Sequence, residues 1–307
     1  MAYSTTAIDI NRGTSGVTLP KELSNEIWYA AAEESAIMRL AQRIEMPGRG
    51  LAVPMITGDA TASWVAESTE KHVSNATISN KNIVPFKLAV IQIFSEEFVR
   101  DMPALYAELV RRAPAAIAAQ FDATIANGVT PGTGFDVLTS ATAIGIEAPQ
   151  GGSVYGQLVS AVTTVGSYGY NLDGWIFAPQ AMGTLLGAVD GNGRPLLITN
   201  VNDDREIGRI FGADVVRSKY VWKAGTAATQ SAAEVPNVVG LAGDWSAARY
   251  GLVDGIKVSI SDQATINDGT NQINLWQRNM VALRIEAECA FAVKSSNAFV
   301  KLTTHVS

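Results

Sequence analysis

The stretch "LAVPMITGDATASWVAESTEKHVSNATISNKNIVPFKLAVIQIF", Leu51 to Phe94, decides how this chain folds. Its two ends, "GLAVPMIT" from Gly50 and "NIVPFKLAVIQIF", are β-branched and apolar and read as strands. The segment between them is rich in Thr, Ser, Asn and Ala, about two dozen residues with no periodicity. This pattern predicts a long projecting hairpin or loop, and polar loops of such length are commonly functional. Inside it, "ASWVAESTEK" places Trp64 among charged and small residues with no apolar stretch of its own to bury against. A ring left in water forgoes about 25 cal/mol per Å² of apolar surface. Trp64 is therefore expected to be covered, either by another part of this chain or by another molecule.

On the N-terminal side, residues 1–18 are small and polar and read as an extended arm or tail. "LPKELSNEIWYAAAEESAIMRLAQRIEMPG" has Pro20 in a first turn and Leu23, Ile27, Ile37 and Leu40 at helical spacing. A helix is predicted there until Pro47 and Gly48 stop it. On the C-terminal side, Ser95 can cap a short helix with Glu96 and Glu97 in its first turn, and Asp101 can cap the next, with Pro103 near its start. Phe98, Met102, Leu105, Leu109, Ala113, Ile117, Phe121 and Ile125 then recur every three or four residues, the spacing of one helical face. This is the longest predicted helix, bent at Pro114 and stopped at Asn127-Gly128.

Farther along, helix and strand alternate. "SVYGQLVSAVTTVGSYG" reads as helix, "GWIFA" as strand, "PQAMGTLLGAV" as a helix started by Pro179, and "DGNGRP" as a turn. "FGADVVRSKYV" suggests strand-turn-strand, and "VVGLAGDWSAARYGLVDGIKVSISDQ" three short strands around a turn at Asp244. From Val281 to Ala290 apolar residues (Val281, Leu283, Ile285, Ala287, Cys289) alternate with mostly charged ones (Arg284, Glu286, Glu288), the period of a strand with one face buried. "NAFVKL" reads as a last strand, closing a pair. The fold class is α+β.

Chemistry is sparse. Net charge is −6, from 23 basic and 29 acidic residues, and no basic cluster exceeds Arg111-Arg112, which argues against tight nucleic-acid binding through a basic face. The one cysteine, Cys289, permits no disulfide within the chain and sits on the apolar face of a predicted strand, which suggests core, and a reducing folding compartment. His72 in the polar loop and His305 near the end have no local partner at a recognisable spacing. "GNGRP" lacks the Lys-Ser/Thr pair of a phosphate loop and the third glycine of a dinucleotide fingerprint. No catalytic residue, cofactor or metal ligand is assigned, no membrane span is predicted, and the expectation is that the protein is not an enzyme. Charged residues make up 17% of the chain, below the roughly 25% of ordinary domains, a hint that part of the surface is covered by assembly.

The order of these pieces carries a resemblance. A "LP" start into a helix, the run Ala62, Trp64, Val65, Glu67, Lys71, a return strand with "FKLA", then "SEEF" with Asp101, and a long helix ending "FDATIANG" come first. "WIFAPQAMGTLLGAVDGNGRPLL", "IFGADVVRSK", "LAGDWSAARYGLVDGIKVSIS" and "QRNMVALRIEAECAFAVKSSNAFVKL" follow. No single motif is specific, but their sequence along nearly the whole chain resembles the major capsid proteins of tailed double-stranded DNA bacteriophages, with the Hong Kong 97-like fold.

The resemblance implies an N-arm and first helix over residues 1–46, an extended E-loop over 47–94, the spine helix of the P-domain over 95–134, an A-domain over 135–265, and the closing part of the P-domain over 266–307. It implies self-assembly into pentamers and hexamers and then an icosahedral shell, formed in the host bacterial cytoplasm and ending in the virion, enclosing DNA without sequence-specific binding. A portal is an implied partner, and any scaffold is expected to be a separate protein, since the family pattern starts about twenty residues after Met1. Trp64, Val65, Glu67 and Lys71 become intersubunit contacts of the E-loop. Some family members crosslink an E-loop lysine to a neighbour's asparagine. Here Lys71 and Lys81 lie in the loop and Asn297 in the last strand, and the lysines are expected to be solvated instead. Pro114, Gly191 and Gly193 are candidate points where subunit angle adapts. The alternatives are an encapsulin-like compartment shell of related fold, a monomeric α+β enzyme, and a carbohydrate-binding surface protein.

Overall fold

Strand β14 (Met280–Val293) is the axis of the first of two sheets, and its alternation in sequence becomes alternation in space. Leu283, Ile285, Ala287, Cys289 and Phe291 are buried on the face toward the long helix, while Arg284 on the other face is exposed. The computed structural model describes residues 35–58, 60–75, 77–95, 102–147, 153–187, 206–229, 233–253, 257–267 and 272–305. The expected N-arm, the start of the first helix, the short helix capped by Ser95, the cap at Asp101 and the "DGNGRP" turn lie outside them.

The described chain runs α1 (Ala36–Leu40), β1 (Gln42–Glu45), β2 (Leu51–Gly58), β3 (Thr77–Ile83), β4 (Phe86–Ser95), α2 (Met102–Asn127), β5 (Thr142–Gly145), α3 (Val154–Ser167), β6 (Gly174–Phe177), α4 (Met182–Leu186), β7 (Glu206–Ile210), β8 (Ala213–Arg217), β9 (Asn237–Gly243), β10 (Ala248–Leu252), β11 (Lys257–Ser261), β12 (Thr265–Asn267), β13 (Gln272–Asn274), then β14 and β15 (Phe299–Thr304). The first sheet has the order β1-β10-β14-β11, with β4 on the opposite edge of β14. The second has the order β5-β15-β9-β6-β8-β7. Helix α2 packs on the first sheet through Ile117, Phe121 and Ile125, and the rings of Phe121, Phe135 and Phe291 meet there at 6.2–6.5 Å. Helix α3 covers the second sheet through Leu158, Ala161 and Val165, over Trp175, Phe177 and Val215. No helix among the described residues is long and apolar enough to cross a membrane.

Several expectations are corrected. The first helix does not continue to Pro47: α1 ends at Leu40, Ala41 turns extended, and Gln42–Glu45 pair in parallel with β10. Helix propensity in "QRIE" yields to an open sheet edge, a tertiary gain of backbone hydrogen bonds that local preference cannot match. The segment expected as two strands around a loop holds three. Pro85, which has no N–H to donate, separates β3 from β4, so the return strand of the hairpin is the polar "TISNKNI" and β4 belongs to the body sheet. In "FGADVVRSKYV" the second strand is a 3-10 turn, Lys219–Val221, capped when the Ser218 hydroxyl accepts from the Tyr220 amide. The strand-turn-strand lies one element earlier, where Phe211 and Gly212, both at positive φ (52° and 81°), join β7 to β8. The closing strands β14 and β15 do not pair with each other, since each sits in a different sheet. The long helix ends at Asn127, as expected, and is one element across Pro114.

One buried group ties the elements together. Asp122 on α2 is fully buried. It accepts from the Ser35 hydroxyl at 2.5 Å, the Ala36 amide at 3.0 Å and the Ser218 hydroxyl at 3.2 Å, so it joins the start of α1 and the turn after β8 to the long helix. Burial pushes its carboxyl from the usual 3.8 up to about 6, against the pull of those hydrogen bonds. The folded state therefore holds this proton more tightly than the unfolded chain does. Its contribution is fully present below the unfolded value and is lost as pH rises through about 6. Compared with Asp122→Asn, the native protein is expected to lose on the order of 3 kcal/mol of stability between roughly pH 4 and pH 7. Urea midpoints of the two proteins across that range check it, and parallel curves would contradict the assignment.

Candidate assembly interface

Among the described strands β2 and β3 pair only with each other, from Leu51 opposite Ile83 to Gly58 opposite Thr77, and form a two-stranded ribbon that leaves the body. Its root is held from two sides. Ile83 is buried with Met46, Ala290 and Ala292, at the end of β14 where both faces are covered. Beside it, the Lys81 ammonium pairs with Asp136 and donates to the Val293 carbonyl at 2.6 Å, while Asp136 accepts from the Val293 amide at 2.8 Å. The expectation that Lys81 is solvated is thus corrected: it is spent inside its own subunit. Asn297 lies in a 3-10 turn, Ser296–Ala298, ahead of the last strand and not within it.

The far end of the ribbon has no such cover. Trp64 is fully exposed, Val73 is 82% and Val65 40% exposed, and Glu67 and Lys71 are exposed with them. The loop is nonetheless shaped by its own backbone. The Thr61 amide donates to the Ser74 hydroxyl at 2.8 Å and closes the neck. A turn from Ala66 to Thr69 is closed when the Thr69 amide donates to the Ala66 carbonyl at 3.2 Å, with Ser68 at φ 67°. Ser63 to Ala66 and Thr69 to Val73 surround an open bowl of about 450 Å³. The structure therefore brings Trp64, Val65, Glu67 and Lys71 onto one loop, as the sequence suggested, and leaves them without a cover from the described part of their own chain.

Burial of Trp64 on association would remove about 150–250 Å² from water, worth roughly 4–6 kcal/mol before ordering costs. An exposed ion pair through Glu67 or Lys71 is worth about 1 kcal/mol at most. Of the four residues, the indole has the most to gain from cover and the charges the least.

The other sequence candidates fall elsewhere. Cys289 is buried on β14, and burial, with the neighbouring Glu288 charge, pushes its thiol up to about 12, which leaves no nucleophilic thiolate at neutral pH. His305 contacts Glu234 at 3.2 Å, and its backbone amide donates to Glu147 at 3.0 Å, partners 71 and 158 residues away that no local spacing could reveal. Among the described residues no three His, Cys, Asp or Glu side chains gather as metal ligands. Trp276, 73% exposed in the 3-10 turn Trp276–Arg278, is a second bare indole that sequence reading passed over, although "NLWQRN" sets it among polar residues much as Trp64 is set.

The profile of the phage capsid family matches residues 15–304. The probable major capsid protein gp17 of Mycobacterium phage L5 is 33% identical over 293 residues, covering 90% of this chain and 86% of that one. The gp17 protein of Mycobacterium phage D29 is 31% identical over 300 residues, covering 94% and 91%. A solved chain from Microbacterium phage Oxtober96 has the same fold, at a TM-score of 0.69 and 21% identity over 88% of this chain and 91% of that one.

The root and tip of the ribbon separate two roles, which can be measured apart. Lys81→Met is expected to destabilise the isolated subunit by about 1 kcal/mol, because it strands Asp136 beside Val293. Lys71→Met, at an exposed position, is expected to leave thermal unfolding unchanged.

Proposed function

The chain belongs to the phage capsid family and is a major capsid protein of a tailed bacteriophage, and on that premise we propose how it builds a shell. The ribbon β2–β3 is an E-loop that reaches across a neighbouring copy, and Trp64 is buried there along with Val65. Glu67 and Lys71 flank the indole and fix its register. Repetition of this head-to-tail contact gives pentamers and hexamers, which close into an icosahedral shell around packaged double-stranded DNA. Segments 47–94, 95–134, 135–265 and 266–307 serve as E-loop, spine helix, A-domain and closing part of the P-domain, with residues 1–46 as N-arm and first helix. The shell assembles in the host cytoplasm, with a portal and a separate scaffolding protein as partners. The protein acts by geometry and catalyses no reaction.

The observation that carries this reading is the fully exposed Trp64 at the end of a ribbon whose root is firmly packed. Light scattering of the purified chain, with negative-stain electron microscopy of the heaviest fraction, tests it. Shells or rings of five and six are expected. Trp64→Ala is expected to abolish them while thermal unfolding of the subunit stays within about 0.5 kcal/mol of the native protein, as for surface positions free of special contacts. Shells formed equally well by Trp64→Ala would contradict the role of the indole. With Lys81 committed to Asp136 of its own chain and Lys71 assigned to fixing register, particles boiled in detergent are expected to run as monomer-sized bands, without a ladder of covalent multimers.

A further inference from the structure

The ribbon needs a receptor, and the body of the same subunit contains a cavity of fitting size and character. Between β4 and the long helix α2 lies a partly open pocket of about 250 Å³. Leu88 and Val90 of β4 and Ile117 of α2 form its walls, with Ile285 of β14 beneath. Ala116 is exposed at its mouth. A cavity of roughly 150 Å³ lined by such side chains binds benzene, so this one has room for a two-ring indole. The lining is almost entirely apolar. Gln120, exposed at the rim, is the one described side chain there able to accept a hydrogen bond from an indole N–H.

Several features identify the occupant. β4 pairs with β14 along one edge, while its other edge pairs with no described strand. An apolar hollow next to an open strand edge invites cover by another chain. Of the two bare indoles among the described residues, Trp64 is fully exposed at the end of a ribbon and Trp276, 73% exposed, sits in a short turn, so Trp64 is the ring presented to a neighbour. Knob and hole lie at different places on one subunit, so filling the hole with the knob of a second copy creates a heterologous contact, the kind that generates rings.

We propose that the pocket between β4 and α2, bounded by Leu88, Val90, Ile117 and Ile285, is the receptor for Trp64 of a second copy of this chain. The inference rests on the shell-forming reading above and names the acceptor which that reading leaves open. The small side chain of Ala116 keeps the mouth wide enough for an indole to enter. The flanking backbone of the loop lies along the open edge of β4.

The test replaces Trp64 with the photoreactive aromatic residue p-benzoyl-phenylalanine in isotopically heavy subunits, which are mixed with light native subunits, assembled and irradiated. Mass spectrometry then locates heavy-to-light crosslinks. They are expected in peptides spanning 86–95 and 115–121. Crosslinks elsewhere in a neighbour, or none between copies in well-formed shells, overturn the pocket assignment while the shell reading stands. Absence of shells from the native chain, with and without its scaffold, overturns the shell reading itself. A second variant covers failure of the labelled chain to assemble. Ala116→Trp fills the mouth from its own subunit at an exposed helical position. It is expected to lower shell yield at least tenfold with unchanged thermal unfolding, and shells at native yield would overturn the proposal.

Discussion

Strand β14 is the constraint on which the rest of the structure depends. Along one edge it pairs with β4 from Met280 opposite Ser95 to Cys289 opposite Phe86, and along the other it pairs with β11 and then β10. A central strand must satisfy hydrogen bonds on both sides, and its side chains must serve whatever packs on each face. Over most of its length one face is core under α2 and the other is open to charge, with Arg284 and Glu286 paired at 3.3 Å. At its C-terminal end both faces are buried, because Ala290 and Ala292 receive Met46 and Ile83. The ribbon is rooted at that spot. The element that leaves the body is fixed where the body is most completely packed, and small residues at Ala290 and Ala292 are what let the root approach so closely.

This arrangement separates folding from association. The subunit's interior satisfies itself: the aromatic cluster around Phe121, the indole of Trp245 donating to the Gly174 carbonyl at 3.0 Å, and Asp122 bound by three donors need nothing from outside. Even close approaches are settled internally, since a Cβ on Gly174 would fall 2.7 Å from the Trp245 ring. The ribbon's outer half makes no comparable contribution. Its exposed Trp64, Val73 and Ile78 are apolar surface held in reserve, a poor investment for a monomer and a sensible one for a chain that works only in many copies. A shell protein has to fold before it meets its neighbours, so its association surface cannot also be its core.

How much of this could be read beforehand depends on how local the cause is. The alternation in β14, the helical face through Ile117, Phe121 and Ile125, and the Pro-started turn at Pro179 declare themselves because each element's own residues dictate it. Trp64 was conspicuous for the same reason, being apolar in a segment with no apolar company. What escaped was set by distant partners. "QRIE" became a strand because β10 offered an edge, and "TISNKNI" became the return strand although polar residues masked its period. Lys81 looks like any loop lysine until Asp136 and Val293 fold against it. The β4–α2 pocket is likewise invisible in sequence, since its walls come from three segments and its essential feature is the space that Ala116 leaves empty.

A closed shell asks its subunits to differ slightly in shape, and the parts of this subunit are not equally free to do so. The long helix runs continuously through Pro114, with its C-terminal half packed on β14, so flexing it would disturb the main core. The ribbon's root is no softer, clamped by Ile83 and Lys81, and Gly50 at φ 84° runs so close to the Ile83 carbonyl that an added Cβ would sit 2.5 Å from it. Between root and tip, however, β2 and β3 have no third described strand beside them. Two-stranded ribbons twist more freely than wider sheets and are marginal without added packing. Twisting this ribbon carries its tip through an arc at little energetic cost while leaving both cores untouched. A knob on a compliant stalk can thus follow its receptor through the range of angles that a closed shell demands.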